Sequence, residues 1–274
     1  MNLPANFVFS AKNLQSYADC PRRFQLRYVE GWQPPTMTAP EAQDELAYER
    51  RLRQGAMLHQ LAKFSQEGIP HDLLKAAIRD DNVARWFAEL LSSGLNDLPE
   101  KRLPEKRLQT SIDGQRLMAQ VDLLAFEPGG DLVVVDWKTG SYVPDRESLR
   151  QRWQTIVYLY VAAKAGSRLY GAPLPAERVR LEYVYLARGG QRIRFTYSPA
   201  QMRDDEALLS GLMSEIQSAS DFPLTPECRH CRFCAFRVHC ERGEAVSLSD
   251  VDFDDLDEVA DIELDFEQIG EYAF

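Results

Sequence analysis

The segment Leu132-Val-Val-Val-Asp136-Trp-Lys138 runs from β-branched residues into a carboxylate and an amine two positions apart. In a strand alternate side chains share a face, so Asp136 and Lys138 point the same way. Isolated buried charges are costly, and a hydrophobic strand that ends in such a pair needs a compensating partner. Mg2+ is one such partner, because it takes oxygen ligands from one or two carboxylates together with phosphate and water. Asp122, near the end of the preceding strand, supplies a second carboxylate across the hairpin. Lys138 then stands beside the metal, placed to hold a scissile phosphate or to tune an attacking water. The plainer alternative is that both aspartates terminate strands and Lys138 is a solvated partner. Asp-x-Lys by itself does not decide between them.

A second group of residues could also do chemistry. Four of the five cysteines, Cys228, Cys231, Cys234 and Cys240, fall within residues 228–240, and the fifth is Cys20. Paired C-x2-C spacing brings thiolates to one centre, and in a reducing compartment such a cluster reads as metal ligands rather than disulfides. The local four suit tetrahedral zinc or a ferredoxin-like cluster, with Cys20 left as a buried structural thiol.

The elements that must position these residues follow from punctuation and periodicity. Ser10 is a plausible helix N-cap, and the segment after it carries Leu14, Tyr17, Phe24 and Tyr28 near one stripe to about Glu30. Beyond Pro34, Pro35 and Pro40, helices are expected over about 41–67, stopping near Gly68-Ile-Pro70, and over about 73–91. Asp113-Gly114 between 107–112 and 115–126 is a strong hairpin signal. Residues 132–138 fit a buried strand. A helix at about 146–165 comes next, then strands near 179–186 and 192–197 joined at Gly189-Gly190, and an amphipathic helix over 199–218. This order predicts an α/β (α+β) fold with one central mixed sheet flanked by helices. It divides into an N-terminal helical region (1–100), a core (101–220), a Cys-rich segment (221–245) and an acidic tail (246–274).

Bulk composition bounds the ligand less than it suggests. The chain has 274 residues, 45% hydrophobic and 27% charged, with a net charge of −10. Asp250–Phe274 holds eleven acidic residues and no Lys or Arg, which leaves 31 acidic against 32 basic residues in the first 249. The body is therefore close to neutral, with basic clusters at Arg22–Arg23, Arg50–Arg53, Lys101–Arg107 and Arg150–Arg152. No run approaches the roughly 18 apolar residues needed to span a bilayer. The first residues lack a basic region and a long apolar stretch, so a cytoplasmic protein is expected. Acids in the tail alternate with apolar residues such as Val251, Phe253, Leu256 and Phe266. That pattern fits a solubilising segment, a partner-docking segment, or a mimic of DNA folded back on a basic groove.

Taken in order, the motifs Ser10-x3-Leu14-x2-Tyr17-x2-Cys20-Pro21-x2-Phe24, Gly55-x3-His59, Val121-Asp122-Leu123, Asp136-Trp137-Lys138-Thr139-Gly140 and Gln154-x3-Tyr158 resemble the PD-(D/E)XK nucleases. The likeness is to the RecB/AddB nuclease domains and the related CRISPR-adaptation exonucleases in particular. It spans residues 10–240 and implies a restriction-endonuclease-like core. It also implies His59, Asp122 and Asp136 as ligands of Mg2+ or Mn2+, with the backbone carbonyl of Trp137 as a further one. Lys138 would be the catalytic lysine. Gln154 and Tyr158, one helical turn apart, would face the site and help position DNA. The AddB-type pattern further implies a 4Fe–4S cluster on Cys20, Cys231, Cys234 and Cys240, with Cys228 spare, a structural staple that holds the chain ends together; zinc is the alternative. A DNA exonuclease preferring single strands or ends is thus expected, working in repair or recombination with a helicase, or in CRISPR adaptation. The rival expectations are a catalytically silent DNA-binding or scaffold subunit and a zinc-ribbon interaction protein.

Overall fold

In the computed structural model the described residues are 3–4, 6–32, 42–93, 97–127, 129–171, 173–231 and 234–242. The acidic tail, Asp250–Phe274, lies outside them.

Among the described residues six strands form one mixed sheet. Two long antiparallel strands, β2 (Lys101–Ile112) and β3 (Gln115–Phe126), are joined by Asp113-Gly114. Both turn residues have positive φ, 50° and 79°, as a tight hairpin turn demands. The end of β3 pairs antiparallel with β4 (Leu132–Lys138), and β4 pairs parallel with β5 (Val179–Tyr185). An antiparallel strand β6 (Gln191–Thr196) follows through Gly189-Gly190, both in the left-handed region. A three-residue strand β1 (Val8–Ser10) runs parallel to the start of β3. Sequence alone does not announce β1, because three residues carry no usable period.

Every residue of β4 is buried, since helices cover both faces of the sheet. On one face α3 (Ala42–Gln66), α4 (His71–Ala77) and α5 (Asp81–Ser92) bring Leu58, Leu61, Leu74, Phe87 and Leu90 against Val133, Val135 and Trp137. On the other, α1 (Ala11–Asp19), α7 (Trp153–Tyr170) and α8 (Pro199–Ser218) set Leu14, Val157, Tyr160 and Leu209 against Leu132, Val134 and Leu181. The fold is the expected mixed α/β type, with a central sheet flanked by helices as in a restriction-endonuclease-like core. Among the described residues no helix is long and apolar enough to cross a membrane.

Several boundaries differ from expectation, each for a local reason. The segment from Ser10 does not run unbroken to Glu30. It stops at Asp19, holds Cys20 extended (φ −161°, ψ 106°), and restarts as α2 (Pro21–Phe24). Proline disfavours helical backbone in the residue before it, and Cys20 is that residue. The expected helix over 73–91 is two, because the Asp80 side chain accepts from the N–H groups of Asn82 (2.9 Å) and Val83 (3.2 Å) and caps α5. Likewise the helix expected over 146–165 breaks at extended Arg152 into α6 (Arg146–Gln151) and α7, and α7 runs on to Tyr170. Finally, β2 starts at Lys101 rather than Arg107. Charges and Pro104 hide its first half, and both are tolerated because β2 pairs only with β3 and forms an edge.

Candidate metal centre

The centre lies where β3 and β4 part. Their pairing ends at Leu123↔Val135, so the next residues of β4 have no backbone partner on that side from β3. Asp122 fills the gap, its Oδ2 accepting the Trp137 N–H at 2.7 Å. Side-chain alternation also slips at this point. Leu117, Ala119 and Val121 face the α7 layer, and so do Leu124 and Phe126, while Leu123 and Ala125 face the α3 layer. On β2 the same slip occurs, with Leu108, Ile112 and also Leu103 packed on the α7 side. Glu105, with φ 48°, sits at the slip on that strand.

Two connected groups of side chains converge here. In the first, His59 reaches from α3 to place Nδ1 3.1 Å from Asp122 Oδ1. Donor atoms of His59, Glu105 and Asp122 all lie within 4.8 Å of one another. Gln120 Nε2 donates to Glu105 Oε2 at 3.2 Å. In the second, Lys138 Nζ lies 3.0 Å from Asp136 Oδ2 and donates to Gln154 Oε1 at 3.1 Å. Gln154 Nε2 then donates to Asp136 Oδ1 (3.1 Å) and to the Tyr158 hydroxyl oxygen (3.3 Å). The Lys138 ammonium also stands 5.4 Å from the centroid of the Tyr183 ring. Asp136 and Lys138 share a face as the strand period requires. Trp137, between them, turns its ring into the opposite core.

Burial sharpens the electrostatics. For His59, burial would lower the pKa, but the Asp122 carboxylate, aided by Glu105 and Asp136, outweighs it and pushes the value up to about 9. Glu105 is pushed up to about 7, first by burial and then by the charge of Asp122. Burial, with Asp136 and Asp122 nearby, holds the Tyr158 hydroxyl well above its usual range, so it stays protonated. Carboxylate charge that raises the pKa of both Glu105 and the His59 imidazole marks a site short of positive charge. Imidazole nitrogen and carboxylate oxygen are the donors that Mn2+ and Mg2+ accept, so the residues fit a divalent cation.

Sequence reasoning missed Glu105, although a signal for it existed. Ile112 pairs with Gln115 across the Asp113-Gly114 turn, and counting back seven positions on β2 and forward seven on β3 sets Glu105 opposite Asp122.

The cysteines form a second cluster, where the C-terminal segment meets α1 and α2. Cys20, buried between α1 and α2, lies close enough to Cys231, Cys234 and Cys240 that it adds to the pKa rise each of those thiols owes first to burial. Guanidinium groups of Arg22, Arg23 and Arg242 oppose those shifts. Cys228 is exposed, and its Sγ takes a bond from Arg242 Nη1 at 3.1 Å. The C-terminal segment docks on the N-terminal helices through several contacts. Arg22 N–H donates to Pro223 O (3.2 Å), Phe24 stacks on Phe222, and Trp32 meets His239 edge-on. Soft thiol donors gathered in this way suit iron–sulfur or zinc.

Comparison with known proteins identifies the family. The profile of the PD-(D/E)XK nuclease superfamily matches residues 8–241. No curated protein sequence matches the chain. Among solved structures, a protein from Eubacterium rectale described as a "putative exonuclease" superposes with a TM-score of 0.50 at 12% identity, covering 89% of this chain and 92% of its own. Another, SSO0001, gives a TM-score of 0.41 at 16% identity over 87% of each chain. At such identities the first likeness speaks for the fold alone, and the second is too remote to argue from. The profile match covers most of the chain and contains every residue of the centre, so this protein belongs to the PD-(D/E)XK nuclease superfamily.

Proposed function

We propose that the protein is a divalent-metal-dependent DNA nuclease that hydrolyses phosphodiester bonds, acting as an exonuclease on single strands or ends. The observation that carries this reading is the pair of contact chains His59–Asp122–Trp137 N and Asp136–Lys138–Gln154–Tyr158, which meet where β3 and β4 part. His59, Asp122, Asp136 and the Trp137 carbonyl would hold Mg2+ or Mn2+. When bound, the cation supplies a water of lowered pKa and offsets charge growing on the phosphate.

The chain's own residues do the rest. Lys138, buried and fixed between Asp136 and Gln154, presents its ammonium where a phosphate oxygen or the attacking water would sit. Gln154 holds Asp136 and Lys138 in one orientation with its two ends. Tyr158 keeps its hydroxyl proton and offers a neutral donor to the DNA backbone. The water oxygen bonds to phosphorus as one P–O ester bond breaks; the attacking water gives its proton to solvent, and the leaving ester oxygen takes one from a water molecule.

For the thiols we propose a 4Fe–4S cluster on Cys20, Cys231, Cys234 and Cys240, structural rather than redox-active. The burial of Cys20 and its reach to all three C-terminal thiols support this set over the local four that includes Cys228. A cytoplasmic nuclease working with a helicase in repair or recombination, or with CRISPR-adaptation proteins, is the setting we favour from the family likeness.

The test is cleavage of linear single-stranded, linear double-stranded and circular DNA with Mg2+ or Mn2+, by wild type and Asp136→Ala. Metal-dependent loss of linear DNA by wild type alone is expected. Equal activity in both proteins, or none in either, would sink the nuclease reading. Cleaved circles would remove the exonuclease part.

A further inference from the structure

We propose that Glu105 is a third ligand of the cation held at His59 and Asp122, which makes this site a one-imidazole, two-carboxylate set that favours Mn2+ over Mg2+. This inference rests on the proposed metal-dependent nuclease reading and adds to it a residue outside the carboxylate–lysine motif.

Four observations point to it. The donor atoms of His59, Glu105 and Asp122 lie within 4.8 Å of one another, so a side-chain shift of well under about 1 Å brings all three inside the roughly 4.2 Å that ligands about 2.1 Å from one cation can span. Glu105 is a non-glycine residue at φ 48° inside a strand, a conformation of real cost for a side chain that could have been solvated on an edge. The same slip that turns Asp122 out of the regular alternation turns Glu105 with it, so both strands deform at one pair. Gln120 steadies the Glu105 carboxylate by donating to its Oε2 at 3.2 Å.

Asp136 is tied to Lys138 and Gln154. Three ligands on His59, Glu105 and Asp122 can therefore hold a cation even when Asp136 is engaged by the lysine. Imidazole nitrogen binds Mn2+ better than the harder Mg2+, which prefers oxygen and keeps its waters.

The test is Mn2+ binding by the intact, cluster-containing protein without DNA, read from the electron paramagnetic resonance signal of free Mn2+. Wild type should bind Mn2+ more tightly than Mg2+ competes for it. Glu105→Gln should weaken binding by about 10- to 100-fold, at least the loss typical of residues that only support a ligand. Asp122→Asn should weaken it as well. Wild-type affinity in E105Q with a loss in D122N would overturn the role of Glu105 and leave the cation site standing. Wild-type affinity in both would show instead that the underlying metal reading fails. Should E105Q not fold, anomalous scattering from Mn2+-soaked wild-type crystals decides. A peak bonded to a Glu105 oxygen supports the proposal, and a peak on His59 and Asp122 with Glu105 turned away overturns it.

Discussion

The carboxylate of Asp122 takes the place of a strand partner for Trp137, accepting its main-chain N–H at 2.7 Å where β3 has already left β4. One side chain thus joins sheet architecture to the candidate site. Its Oδ2 closes the strand gap and its Oδ1 faces His59.

Asp122→Asn keeps a group able to accept the Trp137 N–H but removes the charge. Fold and melting temperature should change little, whereas DNA cleavage should fall at least about 100-fold, the upper range for residues that merely support metal ligands. Circular dichroism alongside a cleavage assay separates the two. A variant as active as wild type would show that the carboxylate charge is not needed.

Gln154 acts through its neighbours, so its removal should cost less than removal of Lys138. Gln154→Ala leaves Lys138 with Asp136 and Tyr183 but lets both groups turn. A fall of about 10- to 100-fold in kcat is expected, with Mn2+ affinity nearly kept. Lys138→Met should lower kcat further. An equal loss of Mn2+ affinity in Gln154→Ala would mean that it holds the cation site rather than the lysine.

In the metal-free protein both His59 and Glu105 have folded pKa values above their ordinary ones, about 9 against 6.5 and about 7 against 4.5. The folded state therefore binds these protons more tightly than the unfolded chain. Their stabilising contribution is complete below the unfolded values and is lost as pH rises through the folded ones. Glu105 governs pH 4.5–7 and His59 governs pH 6.5–9. Urea unfolding of wild type and Glu105→Gln, with chelator present, should show wild type losing ground relative to the variant as pH climbs from 4.5 to 7. A constant gap across that range would contradict the shift.

Cys20→Ala removes the only N-terminal thiol. If one cluster ties Cys20 to the C-terminal three, bound iron should drop and segment 221–242 should become open to protease. As for a covalent cross-link over a long loop, the loss is about 2–4 kcal/mol. In a domain of this size that is roughly 4–16 °C in Tm. Cys228→Ala should leave iron content unchanged. Iron retained in the first variant and lost in the second would favour the local four.

Glu182 is another buried carboxylate, and its place is structural. It sits on β5 facing Arg180 (3.3 Å), Arg192 (3.2 Å) and Arg194 (3.2 Å). Glu182→Ala removes the buried partner those guanidinium groups share, leaving Arg180 to Asp131 and Arg192 and Arg194 to Asp97, and should destabilise the fold by up to about 3 kcal/mol. Mn2+ affinity should stay as in wild type. A lost metal with an intact Tm would reverse the assignment.

The sequence by itself determined what depends on neighbours along the chain. Asp136 and Lys138 share a face because strand side chains alternate. The Asp113-Gly114 turn, the Gly189-Gly190 link and the apolar run of β4 were legible for the same reason, as was the span of α8 between Ser198 and Ser218. Tertiary structure alone decided the rest. Where β3 parts from β4 depends on which strand each can pair with, so the Asp122–Trp137 bond has no local signature. Glu105 enters the site through a left-handed backbone that pairing with β3 imposes, and His59 arrives only once α3 packs on the sheet. Cys20 meets thiols more than 200 residues away because α1 and α2 dock on the C-terminal segment, a contact set by burial rather than by spacing.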